Sequence, residues 1–335
     1  MSTPNSVGAL GEHGLIALIR SRLPAAPAWV AVGLGDDAAV VAPARNTFDV
    51  LTTDALVEGV HFDRAFTPPS AIGHRALAVN LSDLAAMGAT PRVALLSLVL
   101  PPAFAVSDLA DLIDGLLALA AAHGVTLVGG NITRSPGPLM VDVTAVGAVR
   151  PRRVLTRGGA RIGDQVWVSG AIGAASAGLA SLASGPPRDP RMAACEAAVL
   201  TPEPRVRLGR LLGGNRAATA CVDLSDGLAD GLHQIAQASK VGIEIEARAV
   251  PVPAAAREWF AAHGQAPLLP AMTGGDDYEL LFTVGPRARR RLETVRRQAG
   301  AVPLTRIGTV VAAPGVLVVD GEARIPLPSG YVHFR

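Results

Sequence analysis

The chain has 335 residues, 50% hydrophobic and 17% charged, with a net charge of +2; this is ample apolar material for sizeable cores, and the length favours two domains over one. So small a net charge removes the electrostatic case for nucleic acid or an anionic membrane surface, and aromatics at 4% leave little for base stacking. Cys195 and Cys221 support neither a disulfide framework nor a zinc site, no basic stretch leads a long apolar run at the N-terminus, and the most apolar segment, Val93 to Val106, is broken by Pro101-Pro102, so a soluble cytoplasmic protein is expected.

In chain order, a short helix from Leu10 to Arg20 precedes a Pro-rich lead. Gly33-Leu34-Gly35-Asp36-Asp37 then sets two carboxylates on a tight glycine turn, before an apolar β-like run to Val41. Adjacent acids repel, so the pair implies a cation or a solvated turn. Phe48 to Asp54 reads as a strand ending in Thr52, Thr53 and Asp54, hard oxygen donors that suit Mg²⁺. Glu58 and His61 follow in a loop, Val57 to Phe62.

From Ala76 to Ala89 every residue is apolar, small or neutral polar except Asp83. Leu77, Leu81 and Leu84 have the spacing of a helix packed on most of its circumference. A carboxylate there needs a partner, and no Arg or Lys lies within a turn of it. A bound cation answers that need; otherwise Asp83 caps a neighbouring element or reaches water. Next come a buried strand, Val93 to Val99, and a helix from Ser107 to His123. Val125 to Val128 reads as a strand entering a Gly129-Gly130 turn, where backbone N–H groups can approach an anion and Asn131 offers an amide oxygen. After the strand Leu139 to Val149, the basic step Arg150 to Arg153 reads as a domain boundary, dividing residues 1–150 from an α+β domain, 151–335.

The second half opens with the strand Gly163 to Gly170 and a helix of small residues, Ala174 to Ser184. A helix from Arg205 to Leu212 precedes Ala220 to Leu228, a buried strand running into Asp223, Ser225 and Asp226. Ser225 or Asp226 is placed to cap the helix Leu228 to Ala238, which leaves Asp223 unexplained. Ile243 to Ala247 is a strand; Gly274-Gly275-Asp276-Asp277 repeats the glycine-then-acids theme before the strand Leu280 to Val284. An Arg-rich helix, Pro286 to Gln298, has the composition of a solvated face, and strands near Leu304 to Val311 and Val316 to Val319 finish the fold.

Each acidic turn alone is as readily explained by solvent. Together, Asp36, Asp37, Asp54, Asp83, Asp223 and Asp226 imply several bound cations. The only lysine, Lys240, follows no glycine-rich loop, so neither a P-loop nor a kinase strand lysine is present. Magnesium ions, glycine turns and no lysine point to nucleotide phosphate handled by metal, where catalysis is positioning plus charge neutralisation.

Gly35-Asp36-Asp37-Ala38-Ala39, Thr52-Thr53-Asp54 with Gly59-Val60-His61-Phe62, Asn80 to Ala89, Gly129-Gly130-Asn131, Leu155-Thr156-Arg157, Asp223 to Leu228 and Gly274 to Leu280 occur in this order. The set resembles the thiamine-monophosphate kinases, in the superfamily of aminoimidazole ribonucleotide synthetase, across essentially the whole chain. The resemblance implies an α+β fold of two domains, with a homodimer joining the N-terminal sheets into a barrel-like core. It implies transfer of the ATP γ-phosphoryl to thiamine monophosphate, with several Mg²⁺ ions and no side chain as general base. By position, Asp37, Thr52, Thr53, Asp54, Asp83, Asp223 and Asp226 match the family's magnesium ligands. Gly130, Asn131, Arg157 and Ser225 match its ATP contacts, and His61 and Asp276 its contacts to the thiamine substrate.

Three positions depart from the pattern. Asn131 stands where many relatives carry Asp, keeping an oxygen ligand without the charge. Asp276 stands where some carry Glu. Pro328, at the substrate-binding position before Ser329-Gly330-Tyr331, replaces an aromatic. The rival readings are another ATP-using enzyme of the superfamily, of the ribonucleotide-synthetase or hydrogenase-maturation type, and a nucleotide-binding module without turnover.

Overall fold

Two separate sets of apolar strands build the two larger sheets, each with its own core. The computed structural model describes residues 5–328 and 330. It divides into one unit of Met1–Leu84 with Thr90–Pro151 and another of Ala85–Ala89 with Arg152–Arg335.

In the first unit, α1 (Val7–Arg22) is longer at both ends than the sequence suggests and bends at Gly11, which adopts φ 71°. Strands β1 (Val30–Val32) and β2 (Val40–Val41) form a small hairpin around the Asp36-Asp37 turn. Strand β3 (Phe48–Val57), helix α2 (Pro69–Ala86), strand β4 (Thr90–Leu100), helix α3 (Val106–His123) and strands β5 (Thr126–Arg134) and β6 (Met140–Val149) complete the unit. The four-stranded sheet has the order β3-β6-β4-β5. Only β4 and β5 run parallel, joined by α3 as the crossover.

Along β6 the odd-numbered Val141, Val143 and Ala145 are buried, and the even-numbered Met140, Asp142 and Thr144 are half-buried. Alternation of this kind marks a sheet with one covered face. Helix α2 lies on the covered side, because Asp83 meets Thr52, whose cross-strand partner is Ala145. Ile72, Leu77, Leu81 and Leu84 of α2 and Leu109, Leu112, Ile113 and Leu116 of α3 are all buried. On the other face, Leu51 is 70% and Leu95 40% exposed.

Two features differ from the sequence reading. Strand β3 does not stop at Asp54; it continues to Val57, so Asp54 lies inside the ladder opposite Val143. Nor do Gly129 and Gly130 form a turn. They lie within β5, where the register shifts by one residue. A Cβ on Gly130 would come 1.9 Å from the Leu96 carbonyl oxygen, so close strand approach demands this glycine.

The second unit contains β7 (Gln165–Ser169), α4 (Ala174–Ala183), α5 (Ala193–Leu200), α6 (Val206–Gly214), β8 (Ala220–Asp223), α7 (Leu228–Ser239), β9 (Gly242–Glu246) and α8 (Ala254–Ala262). It continues through α9 (Leu268–Thr273), β10 (Leu280–Val284), α10 (Arg289–Gln298), β11 (Leu304–Val311), β12 (Gly315–Asp320) and β13 (Ala323–Pro326). The seven-stranded sheet has the order β13-β12-β9-β11-β7-β10-β8, antiparallel except between β12 and β9. Its core joins Val166, Val168, Val222, Ile243, Ile245 and Leu281 from strands to Leu228, Leu232 and Ile235 of α7. Among the described residues, no helix is long and apolar enough to cross a membrane.

Candidate active site

In the first unit the period of strand β3 decides which donors meet. Even-numbered residues face α2, so Thr52 and Asp54 lie on the same side as Asp83. Thr52 donates its hydroxyl to Asp83 Oδ2. Asp83 is half-buried rather than enclosed by apolar side chains, because its helix turns it towards the strand hydroxyl. Thr53 does not join this pair. Its hydroxyl lies on the opposite face, 3.0 Å from Thr144 Oγ1 and 3.2 Å from Asp142 Oδ1. Two consecutive residues of a strand cannot present side chains to the same face.

Asn131 shares the face of Thr53: it pairs with Ser97, and Ser97 with Asp142. Strands β3 and β5 are the two edges of the sheet, so Thr53 and Asn131 are at least about 14 Å apart at the usual strand spacing. The exposed Asp36 and Asp37 sit in the β1–β2 turn, with the Asp37 N–H donating to Asp36 Oδ1 at 2.8 Å. Among the described residues, no three His, Cys, Asp or Glu side chains converge as a ready metal cage.

His61 is set by its own loop. Its Nδ1 accepts from the Val57 N–H at 3.1 Å, which places the neutral ring's proton on Nε2. Glu58 anchors the same loop by accepting from the Leu139 N–H at 3.1 Å.

In the second unit the acids end one strand and begin the next. Asp223 closes β8 and is buried, with Leu280 of β10 as its cross-strand partner. Beyond the ladder the two loops stay joined by backbone: Tyr278 N–H donates to Leu224 O at 2.9 Å, and Asp276 N–H to Ser225 O at 2.7 Å. Asp223, Ser225, Asp226 and Asp276 are thus gathered at one end of the sheet. Neither Ser225 nor Asp226 caps α7. The cap position is Gly227, at φ 94°, with no side chain to offer; a Cβ there would meet the Gly274 oxygen at 2.5 Å. Arg157 is exposed, in a segment whose Thr156 oxygen accepts from Cys221 of β8 at 2.9 Å. Pro328 is exposed, just after Leu327, whose oxygen lies 3.1 Å from His233 Nε2 of α7. Tyr331 and the tail to Arg335 lie outside the described residues.

Three acidic residues in the two units carry more than the motif reading gave them. Asp142 was signalled only by the alternation along β6. Asp277 accepts from the Gly173 N–H at 2.7 Å and the Ala175 N–H at 3.1 Å, at the start of α4. Burial pushes its carboxyl up to about 8, against the pull of those two donors, and the charges of Glu279 and Asp276 add to the rise. Glu279 is buried and paired with Arg205 through two hydrogen bonds of 2.7 and 2.5 Å. Burial pulls the Arg205 guanidinium down, but its hydrogen bonds to Glu279 and that charge outweigh it and hold the group above its usual range.

Comparison with known families and structures bears on this arrangement. Residues 35–149 match the family model of the AIR synthase related protein, N-terminal domain, and residues 161–320 that of its C-terminal domain. The chain is 38% identical over 342 residues to the thiamine-monophosphate kinase of Synechococcus elongatus, covering 98% of each. It is 34% identical to that of Bacillus subtilis, covering 91% of this chain and 94% of the relative. Among solved structures, the thiamine-monophosphate kinase of Stenotrophomonas maltophilia superposes with a TM-score of 0.79 at 39% identity, over 92% of this chain and 95% of that one. AaThiL complexed with AMPPCP and TMP superposes with a TM-score of 0.77 at 35% identity, covering 97% of both chains. The fold is therefore the two-domain AIR synthase-like one.

Proposed function

The chain belongs to the thiamine-monophosphate kinases of the AIR synthase related family, and on that premise we propose that it transfers the γ-phosphoryl group of ATP to thiamine monophosphate. The bond from the γ-phosphorus to the β-phosphate oxygen breaks, a bond to a phosphate oxygen of the acceptor forms, and ADP and thiamine diphosphate leave. The observation that carries this reading is the whole-chain match at 38% identity; a relative of the same fold holds AMPPCP and TMP together. The alternatives, another enzyme of the superfamily or a module without turnover, gain nothing from these matches. Hydrogenase maturation proteins share the fold but are at most 23% identical among those compared.

The donor set fits Mg²⁺. Asp37, Thr52, Thr53, Asp54, Asp83, Asn131, Asp223 and Asp226 offer hard oxygen only, without thiolate or imidazole. No closed protein cage is needed, because Mg²⁺ keeps waters and takes substrate phosphates as ligands. Bound Mg²⁺ supplies neutralisation of phosphate charge. Gly130, Asn131, Arg157 and Ser225 serve the ATP, with the Arg157 guanidinium on phosphate oxygens. His61, Asp276 and Pro328 serve the thiamine substrate, His61 by donating from Nε2 to an anionic oxygen. The acceptor is already a phosphate oxygen, so no side chain acts as general base.

The homodimer and its barrel-like core belong to the same proposal. Leu51 and Leu95 on the open face of the first unit's sheet call for a cover. Thr53 and Asn131, at opposite edges of that face, could serve one metal only if a second copy brought its own sheet against it. The functional division into a metal- and ATP-binding domain, 1–150, and a second domain, 151–335, and a cytoplasmic location, complete the reading.

The test is to incubate the purified protein with Mg-ATP and, separately, thiamine monophosphate, free thiamine and formylglycinamidine ribonucleotide, following ADP and product. Thiamine diphosphate from the monophosphate alone is expected. Turnover of the ribonucleotide, or of none of the three, would reject the assignment.

A further inference from the structure

The segment Asp276 to Glu279 alternates in what its side chains do. Asp276 and Tyr278 form a pair of their own, the tyrosine hydroxyl donating to Asp276 Oδ1 at 3.1 Å. Asp277 and Glu279 instead reach into the body of the second unit. Asp277 takes both N–H donors at the start of α4. Glu279 is gripped by Arg205 and accepts from the Ser169 hydroxyl at 2.5 Å; Ser169 Oγ in turn accepts from the Leu280 N–H at 2.9 Å. There is no slack around this carboxylate: a Cβ on Gly170 would lie 1.7 Å from Glu279 Oε1.

Such anchoring has a backbone to restrain. Asp276 sits at φ 69° and Tyr278 at φ 48°, two non-glycine residues in the left-handed region within three positions. L-residues adopt that conformation at a cost and keep it only where the surroundings over-determine it. The neighbouring glycines leave the loop a single path, since a Cβ on Gly275 would come 2.5 Å from the Ser225 oxygen. Alternating with the two anchors, the Asp276 and Tyr278 amides are held to Ser225 and Leu224, beyond the end of β8.

We propose that Asp277 and Glu279, the latter through Arg205 and Ser169, are positioning residues that hold Asp276 in its left-handed conformation beside the Asp223-to-Asp226 loop, ready for the thiamine substrate. Neither touches substrate; both act through Asp276. The inference rests on the assignment of Asp276 to the substrate made above, and it adds the residues that fix its place.

The experiment is a double-mutant cycle at 25 °C, with each variant first shown to be folded by thermal melting. Glu279→Gln keeps the size of the side chain and removes the charge that Arg205 grips. Its KM for thiamine monophosphate should rise about tenfold, the factor that corresponds to about 1.4 kcal/mol, with KM for ATP within threefold of the parent. In an Asp276→Ala background the same change should add less than twofold, because it has lost the residue through which it acts. A defect of stability alone would leave KM at the parental value, and increments that multiply in the double variant would equally overturn the proposal. Should Glu279→Gln fail to fold, Asp277→Asn takes its place in the same cycle. Amide hydrogen exchange gives a reading independent of turnover. In Glu279→Gln the Asp276 and Tyr278 amides should exchange at least tenfold faster, with Val222 of β8 unchanged; unchanged exchange at both loop amides would refute the positioning role. A parent that leaves thiamine monophosphate untouched would reject the functional reading instead, and exchange would then decide the anchoring by itself.

Discussion

Asp83→Asn separates the catalytic from the structural role of the acidic residues in the first unit. In the parent, Asp83 Oδ2 accepts the Thr52 hydroxyl. Asparagine keeps an oxygen acceptor at that position, so the hydrogen bond changes from charge-assisted to neutral. That difference is worth about 1 kcal/mol, and it is offset by relief from holding a charge in a half-buried place. The variant should therefore melt within a few degrees of the parent. Its catalysis should not survive so well. If Asp83 holds Mg²⁺ against the phosphates, an amide oxygen leaves part of the transition-state charge unopposed. Losing one such electrostatic contact costs about 10²–10³ in kcat, or about 2.7–4 kcal/mol. The assay is ADP release at saturating Mg-ATP and thiamine monophosphate, with a Mg²⁺ titration and a thermal melt on the same preparation. A kcat within a few-fold of the parent at saturating Mg²⁺ would refute the reasoning, whatever the melt shows.

Two further outcomes are expected. If a second copy completes the metal site, Thr53→Val and Asn131→Ala should each be nearly inactive alone, yet regain activity when unfolded and refolded together, since a mixed dimer carries one intact site; no recovery would mean that the two residues do not share a site. Asp277 is pushed from 3.8 up to about 8 by burial, so the folded state holds a proton that the unfolded chain has released over that interval. Its stabilising share is full below about pH 4 and fades as pH rises towards 8; the parent's melting temperature, relative to Asp277→Asn, should fall across that window, and a flat difference would refute the burial argument.

Long apolar periodicities were the legible part of the chain. Leu77, Leu81 and Leu84 give the helix, and the alternation from Leu139 to Val149 gives the strand, because burial on one side leaves a period that composition cannot hide. Helices α5 and α8 left no such trace. They are short, rich in alanine and begin without a side-chain cap. The acidic motifs were legible as chemistry but not as geometry. Thr52 and Thr53 are identical in type and adjacent, and only the direction of the strand's first inward residue sends one to Asp83 and the other to Asp142. Gly129-Gly130 reads as a turn because glycine favours turns, yet here the same lack of a Cβ admits a neighbouring strand. Asp277 and Glu279 could be seen in the motif, but their partners Gly173, Ser169 and Arg205 lie far away in sequence.

The order of strands in the second unit also bears on how the chain is made. Strand β7, which opens that unit, ends up flanked by β10 and β11, which leave the ribosome near the end of synthesis. Until they arrive, Gln165 to Ser169 has unsatisfied backbone on both edges, an invitation to pair with another chain. The first unit's sheet, by contrast, closes by Val149 and is free to form early. A messenger truncated between β7 and β11 would thus yield a folded head trailing an adhesive tail, and overexpression should place the greatest demand on chaperones during the last stretch of translation.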